Sequence, residues 1–254
     1  MILVHRITPF LAGLALAALF TSVSIAPSLL SIEAPIIFVL FLLLVARLFK
    51  FDMRSPSFWA LLSSLAIFCA SGLALYLFFE SESARLFLAV FVSMLSYIYM
   101  ENAFYYYHLQ AKYQAYSLEY LTMILGVFSV FFSASALYAA YLFIHPPLAL
   151  IAIIFAVIVL VLLWSALYVS KIDHKRTAVY SAAGALLITE LFLSVSFLPS
   201  GFATNAALMC VTFYMFLGLS RAHVLEKLTK QIVIRYSALG AAAVALIAGT
   251  SRWT

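Results

Sequence analysis

Apolar runs of about 20 residues recur along the whole chain, separated by short stretches where charge, proline and glycine collect. This alternation predicts helices that each cross a bilayer. Spans are predicted over 7–26, 34–48, 58–79, 84–107, 118–144, 147–170, 177–198, 203–220 and 234–250, with ends set at charges, Pro and Gly. Pro146-Pro147 marks a tight turn, and Pro147 suits a first helical position. No internal repeat is evident, so the sequence lends no support to an inverted-repeat transporter architecture.

Composition fixes the solvent. The chain is 67% hydrophobic and 9% charged, against about 45–50% and 25% in ordinary soluble domains, so lipid must cover most of its surface. The expectation is one all-α transmembrane bundle over 1–254, with no soluble appendage. Cys69 and Cys210 fall inside apolar runs and read as small buried hydrophobes. His5 and Arg6 precede a greasy run ending Ser24-Ile-Ala26, which resembles a signal peptide. The run exceeds the usual core of about 7–15 residues and Pro27 would follow the cut, so an uncleaved first span is expected.

Charge sets the expected orientation. With the N-terminus cytoplasmic, the inner ends hold Arg6, Arg47, Lys50, Arg54, Lys112, Lys171, Lys175, Arg176, Arg221, Lys227, Lys230 and Arg235, and only Arg85 and Arg252 fall outside. That skew is what the positive-inside rule demands, and it accounts for the net charge of +5 without a nucleic-acid partner. The C-terminus is then outside. Between the last two spans, 221–233 reads as an amphipathic basic surface helix: Leu225, Leu228 and Ile232 share one face, while Arg221, Lys227, Lys230 and, beyond it, Arg235 meet anionic lipid headgroups.

Small residues four apart mark expected packing faces at Gly13/Ala17, Ser129/Ser133 and Ala241/Ala245/Gly249. The second and sixth spans, mostly Ile, Leu, Val and Phe, are expected on the lipid-facing rim.

The least lipid-like stretch is 97–120, which holds eight of the 15 tyrosines with Glu101 and Glu119. Tyr97, Glu101, Tyr105 and His108 share one helical face, which Ser93 extends. Glu101 lies about 10 Å, two turns, inward of His108. A carboxylate at that depth is protonated or held by Tyr hydroxyls, Asn102 or a cation from a neighbouring helix. It reads either as a cytoplasm-facing site for a proton, cation or polar headgroup, or as a packing device within an interfacial tyrosine belt. Glu119 enters the fifth span in its first turn, where helix-terminal electrostatics or surface water suffices to explain it. With no Gly or Pro between them, the fourth and fifth helices are expected to extend through Tyr107 to Tyr116, so that Glu101 and Glu119 border one vestibule. Glu190 stands past the bilayer midpoint, on a face with Ala183 and Ser194 that is expected to turn inward; Asn205 and Arg85 are possible partners, and structural pairing and an ion site remain equal readings.

No zinc, Walker, nucleophile-elbow or dinucleotide motif is present, and the five histidines sit near span ends, so neither a metal site nor a cofactor is expected. The tail, from Phe197-Leu-Pro-Ser-Gly-Phe through Asn205, Arg221-Ala-His, Leu228-Thr-Lys and Arg235-Tyr236 to Arg252-Trp253, resembles a group of uncharacterised bacterial polytopic membrane proteins. That resemblance implies a bacterial inner-membrane location and no activity. Three functions remain: a transporter coupled to a proton or cation through Glu101, a non-catalytic membrane subunit or assembly protein in a homo- or hetero-oligomer, and a lipid-acting membrane enzyme.

Overall fold

The structure, a computed structural model, describes residues 2–25 and 30–250, with side chains over 6–23 and 33–250. Pro27 and the Arg252-Trp253 pair lie outside the described residues, as does the His5 side chain. Among the described residues there are nine α-helices and no strand: α1 (Ile2–Ile25), α2 (Leu30–Leu48), α3 (Pro56–Tyr76), α4 (Glu82–His108), α5 (Ser117–Phe143), α6 (Leu148–Val169), α7 (His174–Val195), α8 (Phe202–Val224) and α9 (Lys230–Thr250). Each falls on a predicted span. Eight of them, all but α2, are long and apolar enough among the described residues to cross a membrane. In hydrocarbon every backbone group must bond internally, which is why the apolar runs close into helices.

The chain gathers into two compact units, Met1–Leu125 and Gly126–Thr254, with the boundary inside α5. In the first unit, α1 packs on α2 and α4, and α3 packs on α4. α1 buries Ala12, Leu16, Leu19, Phe20 and Val23, a stripe at helical spacing. Gly72 lets α3 approach α4, since a Cβ there would lie 2.8 Å from a Val92 methyl. Tyr99, fully buried, donates its hydroxyl to the Leu61 carbonyl at 3.2 Å and so ties α4 to α3.

In the second unit, α6 and α7 form the closest pair, with α8 against both and α9 against α8. Phe192 is stacked between Tyr138 at 4.2 Å and Phe155 at 4.3 Å, joining α5, α6 and α7. The Tyr138 hydroxyl also donates to the Phe192 carbonyl at 2.8 Å. Such offset ring pairs contribute beyond their buried area.

Several expectations change. Ser129 and Ser133 are buried as predicted, but Ala241, Ala245 and Gly249 all face outward. α9 buries only Gly240, which admits the Met215 side chain. The exposed helix is therefore α9, whereas α6, expected on the rim, buries a full face from Ile151 to Leu167. α2 likewise buries Phe41, Val45 and Leu48. Large side chains fill space between helices as readily as small ones admit close approach, so small-residue spacing alone did not rank these helices.

The continuous extension through 107–116 is also absent. α4 stops at His108, Leu109 leaves helical geometry at φ −140°, and Tyr116 has φ 66° just before α5. The separate surface helix over 221–233 is replaced by the last turn of α8, a connection over 225–229 and the first turn of α9. Three helix ends put a charged residue in the left-handed region: Lys50 (φ 60°), Lys171 (φ 61°) and Glu226 (φ 56°). Each is followed by a six-to-one backbone bond, from Phe51 to Ala46, Ile172 to Leu167 and Lys227 to Ala222. This cap usually carries Gly, because a Cβ is strained there.

Candidate functional site

Within the first unit, α1 and α4 run antiparallel and leave a groove of about 880 Å³ between them. Gly13 faces the Tyr97 ring, while further along α1 Phe20 meets Tyr76, which in turn lies under Arg85. The walls are Phe10, Leu14, Ala17 and Thr21 from α1 and Leu86, Ala89, Val90, Ser93 and Met94 from α4. Gly13, Ala17, Ala89 and Ser93 open the groove because their side chains do not reach across. Phe10, Leu14, Val90 and Met94 are exposed, so the groove opens toward lipid.

Charge stands at one end and one turn beyond the other. At one, Arg85 donates from Nε to the Phe79 carbonyl at 2.6 Å, and its guanidinium carbon lies 5.8 Å from the Tyr76 ring centroid. Glu82 shares that end. At the other, Tyr97 closes the groove, with Glu101 one turn further along α4. Glu101, half-buried, accepts a hydrogen bond from the Tyr105 hydroxyl at 3.3 Å. Glu82 and Glu101 are 19 positions apart, or about 28 Å of helix, close to the hydrocarbon thickness of about 30 Å. Arg85 and Glu82 line one end of the groove, and at the other the lining stops at Tyr97, one turn short of Glu101.

The predicted residues divide. Tyr97, Glu101 and Tyr105 come together as expected. Asn102 turns aside: its amide donates to the Ile98 carbonyl at 2.8 Å, and its oxygen accepts from Ser117 at 2.8 Å, fastening α4 to the start of α5. His108 closes α4, with Nε2 3.1 Å from the Leu48 carbonyl and its ring stacked on Phe104 at 5.3 Å. With a carbonyl as partner, Nε2 must donate. Glu119 lies in the first turn of α5 but is 8% exposed, buried rather than solvated.

Glu190 departs furthest from expectation. It lies on the second unit, and Ala183, Glu190 and Ser194 all face outward. Asn205 is engaged elsewhere, accepting a short hydrogen bond from Ser200. The inward turn assumed that a carboxylate must be shielded by its own chain; here helix packing is decided by Ile188 and Phe192, both at 0% exposure, and Glu190 falls on the opposite side.

Lys227, Lys230 and Arg235 are exposed at the α8–α9 connection, while Arg221 is half-buried. No group of three or more His, Cys, Asp or Glu suited to a metal occurs among the described residues. The sequence reading left Arg85 out of the site. Arg85 carried a signal, since it broke the charge skew, and the same helical spacing that joined Ser93 to Tyr97 continues back through Ala89 to Arg85.

These features define an integral, polytopic helical membrane protein in contact with the lipid bilayer. Comparison with protein-family models, curated proteins and solved structures finds no match.

Proposed function

We propose that the protein is a transport-type membrane protein that takes a phospholipid-like amphiphile into the α1/α4 groove and couples its passage to a proton or cation at Glu101. The observation that carries this reading is an apolar, lipid-open groove that runs about 22 Å along α4, from Glu82 and Arg85 at one end to Tyr97 at the other, with Glu101 one turn beyond Tyr97. Arginine suits a phosphate, a carboxylate suits an amine, and the apolar walls suit an acyl chain. Tyr105 holds Glu101 one turn beyond the end of the groove that the charge skew would set toward the cytoplasm, with the N-terminus inside and the C-terminus outside. That skew, with the resemblance of the tail, fits a bacterial inner membrane, where Lys227, Lys230 and Arg235 would meet anionic headgroups.

The test fills the groove. Ala17 is exposed on its wall, so Ala17→Phe should leave the fold intact. Mass spectrometry of protein extracted with its native lipid should find an amphiphile held in near-stoichiometric amount by the wild type and lost from Ala17→Phe. The same lipids in the same amounts on both proteins would overturn the reading.

A further inference from the structure

We propose that the outward face of α6 and α7 is the docking surface for a transmembrane helix of another protein, one that carries a lysine or arginine at the depth of Glu190. In the second unit these two helices frame a groove of about 430 Å³ lined by Ala156, Leu160, Ala182, Leu186 and, at one end, Thr189 and Glu190. Its charge is unmatched. Glu190 is exposed, and among the described residues no side chain hydrogen-bonds or ion-pairs with its carboxylate. It lies five positions before the end of α7, about 7 Å inside the helix terminus, so it falls within hydrocarbon. A carboxylate at such a depth ordinarily pairs or faces a polar cavity.

Thr189 gives a second, independent sign. Its Oγ1 is buried at the same groove and has no hydrogen-bond partner among the described residues. A threonine in a helix ordinarily bonds the carbonyl one turn back, as Thr122 does to Leu118 and Thr212 to Leu208.

A helix fits this face better than other occupants. From Ala182 to Leu193 the groove is about 16 Å long, three helical turns. Alanines at 156, 182 and 185 leave room for a backbone to approach closely. The charge selects the partner: a basic side chain answers Glu190. A symmetric pairing of two copies through this face would bring carboxylate toward carboxylate, which opposes self-association here.

The test uses the full chain in lipid vesicles with a donor dye, and synthetic polyleucine transmembrane peptides with an acceptor dye. The peptides carry a single Lys at successive depths, a Gln at the same depths, or Leu throughout. Energy transfer should show one Lys depth associating at least about fivefold more tightly than the Leu peptide, a coupling of about 1 kcal/mol, with Gln in between. Glu190→Gln should return the Lys peptide to the Leu level, and Thr189→Val should weaken it partly. Because Glu190 is exposed and Thr189→Val keeps the shape of a half-buried side chain, the variants should keep the wild-type circular dichroism and thermal midpoint, which is checked alongside. Equal binding of Lys and Leu peptides would overturn the proposal. So would Lys preference unchanged in Glu190→Gln, or displacement of the Lys peptide by a long-chain alkylamine at equimolar amounts.

Discussion

The α1/α4 groove and the α6/α7 groove are both apolar clefts between neighbouring helices, each with a carboxylate at its edge, yet they treat that carboxylate differently. Glu101 accepts a hydrogen bond from Tyr105 and stands one turn from Tyr97. Among the described residues no side chain hydrogen-bonds or ion-pairs with the Glu190 carboxylate. In the first cleft a tyrosine holds the nearby carboxylate and the groove spans about 880 Å³; the second is about 430 Å³ and its carboxylate is exposed. An acidic residue in a membrane helix therefore does not have one meaning. Its partners, rather than its depth, separate a binding site from an outward surface.

The largest expected effect separates the wall behind the second cleft from its rim. Phe192→Ala removes the middle ring of the Tyr138–Phe192–Phe155 stack and should destabilise the protein by about 3–5 kcal/mol in reversible denaturation from detergent micelles. Leu186→Ala, on the open rim, should change stability by less than about 0.5 kcal/mol. Comparable losses would mean that the rim is already packed against something. At the end of α6, Lys171→Gly should raise stability by about 1 kcal/mol by relieving its left-handed conformation, measured in the same way; a loss would show that the lysine side chain outweighs the strain. The smallest effect is expected for Tyr105→Phe. Its 3.3 Å bond to half-buried Glu101 should be worth about 0.6 kcal/mol, so stability barely moves while coupling through Glu101 weakens.

Much of the fold was legible because the bilayer imposes it. Twenty-residue apolar runs between charges leave one regular solution, and each predicted span met a helix at its place. What the helices bury was less legible, because it depends on the neighbours. The alanines of α9 looked like a packing face and point outward, whereas the bulky α6 packs a full face. The face shared by Tyr97, Glu101 and Tyr105 followed from helical spacing alone. The groove beside it did not, since that needs α1 laid antiparallel to α4 with Gly13 facing Tyr97. Glu190 was misread for a related reason: the cost of a charge in lipid was assumed to be met within the chain, whereas an outward carboxylate leaves it to be met from outside.

The most direct test of the transport account is lipid flip in reconstituted vesicles, using phosphatidylethanolamine with a fluorophore on its acyl chain and an external quencher that cannot cross the membrane. Wild-type protein should accelerate loss of inner-leaflet fluorescence over empty vesicles, and an imposed pH gradient should change the rate. Glu101→Gln should slow it about tenfold, equivalent to about 1.4 kcal/mol, and abolish the response to the gradient, while Glu190→Gln should leave both intact. Rates no faster than in empty vesicles, or a Glu101→Gln variant that flips lipid as the wild type does, would contradict the account.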